Sequence, residues 1–320
     1  MTAQHMTGPE TNGEPNAPLA KPRRSSSTRR PGWSTWLLVT GNVIAAAAFC
    51  WPLVVPALPQ QARDAAPIAA LAVIPFAAVA LGLALDGRVR SAKTLALLGT
   101  LTAIGTATRV AGAGVGGVEL VFVLLILAGR AYGARFGFLL GMLTIALSST
   151  VFGGFGPWTP FQMFACGWVG AGAALIPGAR TASVSPSRGR RMREAGILAL
   201  YGALASYAFG LIMNLWFWPF AVGTGTDISY APGAPLGQNL ASFGLYTLVT
   251  STLTWDTLRA ITTVVGILVA GPAALAALRR AKLSRPGRRL GGRTPAAQFR
   301  SGERVAPEPA AGDPATHLHS

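Results

Sequence analysis

Charge is scarce in this sequence. Asp, Glu, Lys and Arg make up 12% of its 320 residues, against roughly 25% in soluble domains. They also cluster, leaving long stretches with almost none, and that pattern excludes an ordinary solvated surface. Histidine occurs only at His5, His317 and His319, all near the ends, so no histidine-based metal, haem or catalytic centre is expected among the apolar segments. Only two cysteines are present, Cys50 and Cys166. Each sits in an apolar run without a CxxC partner, and both read as buried free thiols rather than a disulfide framework. Acids between the tails are limited to Asp64, Asp86, Glu119, Glu194, Asp227 and Asp256, with no DxxD pair. The paired aspartates that hold a diphosphate through Mg²⁺ are therefore absent. Residues 87–94 (GRVRSAKT) approach a phosphate-binding GxxxxGK[ST] loop, but Ala92 replaces the second glycine and the segment joins two apolar runs instead of following a strand. Neither ATP hydrolysis nor any other catalysis is expected, and no cofactor.

What the chain has in quantity is apolar sequence: 51% hydrophobic, with a mean hydropathy of +0.45. The pattern predicts an all-α polytopic membrane protein of about eight transmembrane helices. The expected spans are Trp33–Val55, Ala66–Leu85, Ala92–Ala111, Val118–Gly129, Phe136–Phe152, Phe161–Pro177, Ala195–Trp218 and Trp255–Leu278. Residues 1–32 and 281–320 read as disordered tails, basic and rich in Pro, Ser, Gly and Ala. The net charge of +16 does not point to nucleic acid, because it is carried by tails and short connections. With the N-terminus in the cytoplasm, the inner segments hold 24 of the 27 Lys and Arg residues, leaving only Arg63, Arg109 and Arg259. That bias is the positive-inside rule. It places both termini on the cytoplasmic side of the cell membrane. Residues 219–254 carry no Lys or Arg and are expected outside, as a lid or pocket wall with a short interfacial helix around Leu240–Val249.

Ionisable residues at span ends are costly and therefore informative. Arg109 ends the third span and Glu119 begins the fourth. Asp256 and Arg259 open the last, at i,i+3 spacing on one helical face. They read either as ion pairs that fasten neighbouring helices or as polar contacts to a ligand in an outward pocket. The segment Gly153–Met163 (GGFGPWTPFQM) resists regular helix and offers Trp158, Thr159 and Gln162. Such backbone is tolerated in a membrane where it lines a cavity. Asn214, Trp216 and Trp218 close the seventh span on the same side; they are either interfacial anchors or pocket groups. At the inner end, Ala92, Ala96, Gly99, Ala103 and Ala107 give the third span a small-residue face. That face suits close packing within the bundle or docking of a separate membrane partner.

Taken together, the hairpin Leu124–Gly141 (LLILAGRAYGARFGFLLG), the segment Gly156–Met163 (GPWTPFQM) with Gly167, the Met213–Trp218 end and Trp255–Arg259 resemble the substrate-binding S components of energy-coupling factor (ECF) vitamin transporters. GPWTPFQM is similar to a subgroup of cobalamin-type or unassigned substrate. The resemblance covers residues 92–280, which would be a six-helix core. Residues 33–91 would be two additional helices that a six-helix S component lacks. It implies a protein that binds a vitamin or related micronutrient in an outward pocket, docks on a transmembrane coupling subunit and is driven by two separate ATPase subunits. The family's small-residue docking motif maps onto Ala92 and Ala96.

No ligand-contact set transfers residue by residue. The pocket expected from the residues themselves comprises Arg109, Glu119, Trp158, Thr159, Gln162, Asn214, Trp216, Trp218, Asp256 and Arg259, with partner docking at Ala92, Ala96, Gly99 and Ala103. A corrinoid suits the rings and amide edges. The competing expectations are a membrane scaffold that binds a partner helix, and a stand-alone secondary carrier, which the lack of a mid-span acidic relay disfavours.

Overall fold

The apolar runs fold as helices, and the breaks between them fall at Gly, Pro and the charged connections. A computed structural model describes residues 33–54, 91–112, 118–151, 154–177 and 187–283, with five positions between 68 and 80. Nine helices can be traced in these stretches: α1 (Trp33–Phe49), α2 (Trp51–Val54), α3 (Ala92–Gly112), α4 (Val121–Tyr132), α5 (Ala134–Val151), α6 (Thr159–Ala173), α7 (Arg188–Ala221), α8 (Leu236–Thr247) and α9 (Thr257–Leu283). A π-helical stretch, Leu248–Asp256, joins α8 to α9 without a break. The described residues contain no strand. Four helices are long and apolar enough to cross a membrane: α3, α5, α7 and the continuous Leu236–Lys282 rod. The chain is a helical, membrane-embedded protein. The expected span Ala66–Leu85 and both tails fall almost wholly outside the described residues.

The core is built by α4, α5 and α6, and glycine sets how closely they pack. A methyl group on Gly129 or Gly137 would run into the Gly170 carbonyl, and one on Gly141 into that of Cys166. Backbones in such contact gain dispersion and weak C–H···O contacts that bulkier residues would prevent. Gly133 adopts φ +106° in the one-residue turn between α4 and α5; a side chain would strain that turn. Around this centre lie fully buried Phe122, Leu125, Ile126, Leu139, Leu140 and Phe164. Helices α7 and α9 close the bundle on one side and α3 on another, where Gly105 abuts Thr144 of α5.

The local start signals are legible. Ser91 accepts a hydrogen bond from the Thr94 amide, 3.1 Å, and so caps α3. In residues 87–94, the part that is described thus forms a helix start. Pro160 occupies the first turn of α6, where its lack of an N–H carries no penalty. Helix α1 docks through Asn42, whose Oδ1 accepts from Trp168 Nε1 at 2.6 Å, and through Phe49, edge-on to Phe161 at 4.9 Å.

Three expectations are corrected. The last span does not begin at Trp255: the helix starts at Leu236, and the segment expected to be a separate interfacial helix is its continuous first part. Its polar Thr and Ser residues lower the hydropathy there without ending the helix. Because α7 runs on to Ala221, the connection to α8 is only residues 222–235. Cys50 is exposed, at the break between α1 and α2, whereas Cys166 is buried.

Candidate functional site

The π-helical stretch places a charged group in the interior. Its wider turn puts Ser251 and Asp256, five residues apart, on one face, and Ser251 Oγ donates to Asp256 Oδ2 at 2.7 Å. One α-turn further on, Arg259 Nη1 donates to Asp256 Oδ1 at 2.7 Å, and Arg259 Nε reaches Glu119 Oε2, just before α4, at 2.8 Å. The guanidinium also lies over the rings of Phe209 and Phe122, at 4.8 and 5.6 Å. Asp256 is 1% exposed and Arg259 7%. Buried charges persist only when paired and hydrogen-bonded, and here each oxygen of the Asp256 carboxylate has a donor. Arg259 therefore ties Glu119, a third exposed just before α4, to the buried Asp256, and its contact with Phe209 brings in α7.

Arg109, at the end of α3, is placed differently. It is half-buried; Nη1 donates to Ser148 Oγ at 2.8 Å and Nη2 to Gln162 Oε1 at 3.2 Å. Both partners are neutral, and Arg109 makes no ion pair among the described residues. Directly below it, Thr102, Thr106 and Thr144 bury hydroxyls that have no hydrogen-bond partner.

The other expected pocket residues divide. Thr159 is buried and accepts from the Gly156 amide at 3.0 Å, closing the turn into α6. Among the described residues of this segment, 154–158 are non-helical, and Gln162 already lies in the helix. Trp158 is exposed and folds back over Gly156. Asn214 is half-buried with an unpartnered Nδ2. Trp216 and Trp218 are both buried in aromatic contacts. Trp216 stacks flat on Phe161, with centroids 4.2 Å apart, and accepts at its carbonyl from Trp51 Nε1. Trp218 is fully buried against Tyr230 and Phe243 and donates to the Ile228 carbonyl at 2.7 Å. No protein-family model, curated protein or solved structure matches this chain.

At the opposite end of the bundle lies a second ion-pair layer that sequence reasoning missed. Glu194 of α7 accepts from Arg130 of α4 at 3.0 Å and from Arg279 of α9 at 2.6 and 3.0 Å. Arg130 also donates to the Ile176 carbonyl just past α6, and Lys282 to the Ala131 carbonyl near the end of α4; cations belong at such helix ends. The signal was present in the sequence, because Glu194 is the sole acid in the basic stretch 178–194. Twenty residues of α9 separate Arg259 from Arg279, a rise of about 30 Å. The two charge layers are thus one hydrocarbon thickness apart.

The expected docking residues Ala92, Ala96, Gly99 and Ala103 are all exposed, and a methyl on Gly99 would touch nothing. This face is not used for packing within the described bundle. Among the described residues, two recesses stand out on the surface. One of 630 Å³ lies between the 222–235 connection and α8; the other, of 550 Å³, is an apolar groove along Leu253–Ile261. None of the ten expected pocket residues lines either.

Proposed function

We propose that the chain is the non-catalytic, membrane-embedded substrate-binding subunit of an ECF-type importer for a vitamin or related micronutrient. In this reading a six-helix core, residues 92–280, follows two additional helices, with eight spans in all and both termini in the cytoplasm of the cell. The ligand enters from the outer side, and a coupling subunit with two ATPases drives its release inside. The observation that carries the reading is Arg109. A guanidinium within the bundle is expensive and marks a functional site by default, and this one is oriented by the neutral Ser148 and Gln162, which leave its charge for a ligand. The exposed small-residue face of α3 is where the coupling subunit docks. Among substrates, the amides of Gln162 and Asn214 favour a corrinoid. With Trp216 and Trp218 buried, Trp158 is the one ring of the three free to lie against it.

The test is to purify the full chain in mild detergent and identify co-purified small molecules by absorbance and mass spectrometry, with Arg109→Gln alongside. A stoichiometric vitamin whose affinity falls roughly ten- to hundredfold in the variant supports the reading, since a lost charge-assisted contact is worth about 1.5–3 kcal/mol. An empty protein that no member of a vitamin panel stabilises sinks it. That outcome favours a scaffold that uses the α3 face to bind a partner helix.

A further inference from the structure

The recess of 630 Å³ beside α8 is built from a connection that is folded before any ligand arrives. Ser229 Oγ donates to the Gly223 carbonyl at 2.5 Å and accepts from the Thr226 amide at 3.1 Å. The Asn239 amide pairs with both backbone groups of Ala231, each at 3.0 Å. Trp218 holds the Ile228 carbonyl, and Tyr230 donates its hydroxyl to that of Pro52. Gly225 and Gly233 take φ +92° and +85°, turns that a side chain would strain. The cavity therefore needs little ordering on binding, which favours affinity. Its size falls within the 300–1,000 Å³ range of small-molecule sites.

Its chemistry is selective. Of the four acids among the described residues, Glu119, Glu194 and Asp256 are in salt bridges, while Asp227, in the wall of this recess, makes none. The sequence places no Lys or Arg between Ala195 and Leu258, so this part of the chain supplies no cation to neutralise it. Tyr230, buried edge-on against Trp218, contributes to the wall beneath. Thr224, Gln238 and Ser242 add hydroxyl and amide groups.

We propose that the recess between the 222–235 connection and α8 is a binding site for a small organic cation, with Asp227 as its counter-ion. The site is separate from Arg109 and from the buried Arg259 cluster, and it stands whether or not the chain serves an importer.

Isothermal titration of the full chain in nanodiscs tests it with choline, tetramethylammonium and benzamidine, and with 3,3-dimethylbutan-1-ol as the uncharged isostere of choline. Asp227 is exposed and makes no ion pair, so Asp227→Asn keeps the fold; a thermal melt checks this. Expected is 1:1 binding of at least one cation. The uncharged isostere and Asp227→Asn should each weaken binding by roughly three- to tenfold, the range for a partly screened charge. Arg109→Gln should leave it unchanged. No binding by any of the three cations overturns the proposal. So does isostere binding equal to that of choline, or cation binding that Asp227→Asn does not alter.

Discussion

Gly210 of α7 lies directly against the carboxylate of Asp256, so close that a methyl group on its Cα would overlap both carboxylate oxygens. The carboxylate cannot swing aside, because Ser251 holds one oxygen and Arg259 the other. The absence of a side chain at position 210 is thus what admits a buried charge between α7 and the π-helical stretch.

Gly210→Ala is expected to lower stability by about 1–3 kcal/mol through overpacking, despite the better helix propensity of alanine. Gly196→Ala, at an exposed position of the same helix with open space around it, should instead stabilise by about 0.5–1 kcal/mol. Thermal unfolding in one detergent compares the two. Equal shifts would show that Gly210 is not set by its contact with Asp256.

Arg259→Met leaves Asp256 buried with only Ser251 as donor, and should cost about 3–5 kcal/mol. Removing the carboxylate as well, in Asp256→Leu with Arg259→Met, should cost less than the sum of the single changes, because the orphaned charge is gone. Arg259→Lys should not restore stability, since an ammonium cannot present the two-sided fork that reaches Glu119 and Asp256 together. Denaturation of the four variants gives the coupling, and strict additivity would refute it.

At the other end, Glu194→Gln should cost about 3 kcal/mol, because Arg130, 7% exposed at its side chain, loses its acid partner among the described residues. Arg279 is a third exposed, so Arg279→Ala should cost well under about 1 kcal/mol. The ratio of the two is the measurement. A larger loss for Arg279 would mean that the layer is held from the surface inward.

Asn42→Leu removes the acceptor of Trp168 Nε1 and should weaken the docking of α1 by about 1–2 kcal/mol. Where α1 lifts away, Phe49 uncovers Phe161 and Trp168. Tryptophan fluorescence should then be quenched more strongly by lipids brominated in their acyl chains. Unchanged quenching would show that α1 is held by other contacts.

The long apolar runs specify helices because a buried backbone in lipid has no other way to satisfy its N–H and C=O groups, and the matches at Ala92–Gly112 and Ala134–Val151 follow from that alone. The start of the last helix was misread because Thr247–Thr254 mixes hydroxyls into an apolar stretch, and hydroxyls that bond back to preceding carbonyls are compatible with a helix, as Thr250 does to Tyr246. The i,i+3 pairing of Asp256 with Arg259 is local geometry and legible from spacing. Its third member is not, since Glu119 lies 140 residues away.

The sequence by itself determined that this is a helical membrane protein, because hydropathy and helical period are properties of consecutive residues. Only the tertiary structure decided what its charged groups and rings do. Arg259 is shared between Glu119 and Asp256, Arg109 is left with neutral partners, Trp216 and Trp218 pack on Phe161 and Phe243, and Asp227 stands in a recess of its own. Burial and pairing are contacts between distant segments, set by which glycines let which backbones touch, and no local pattern encodes them.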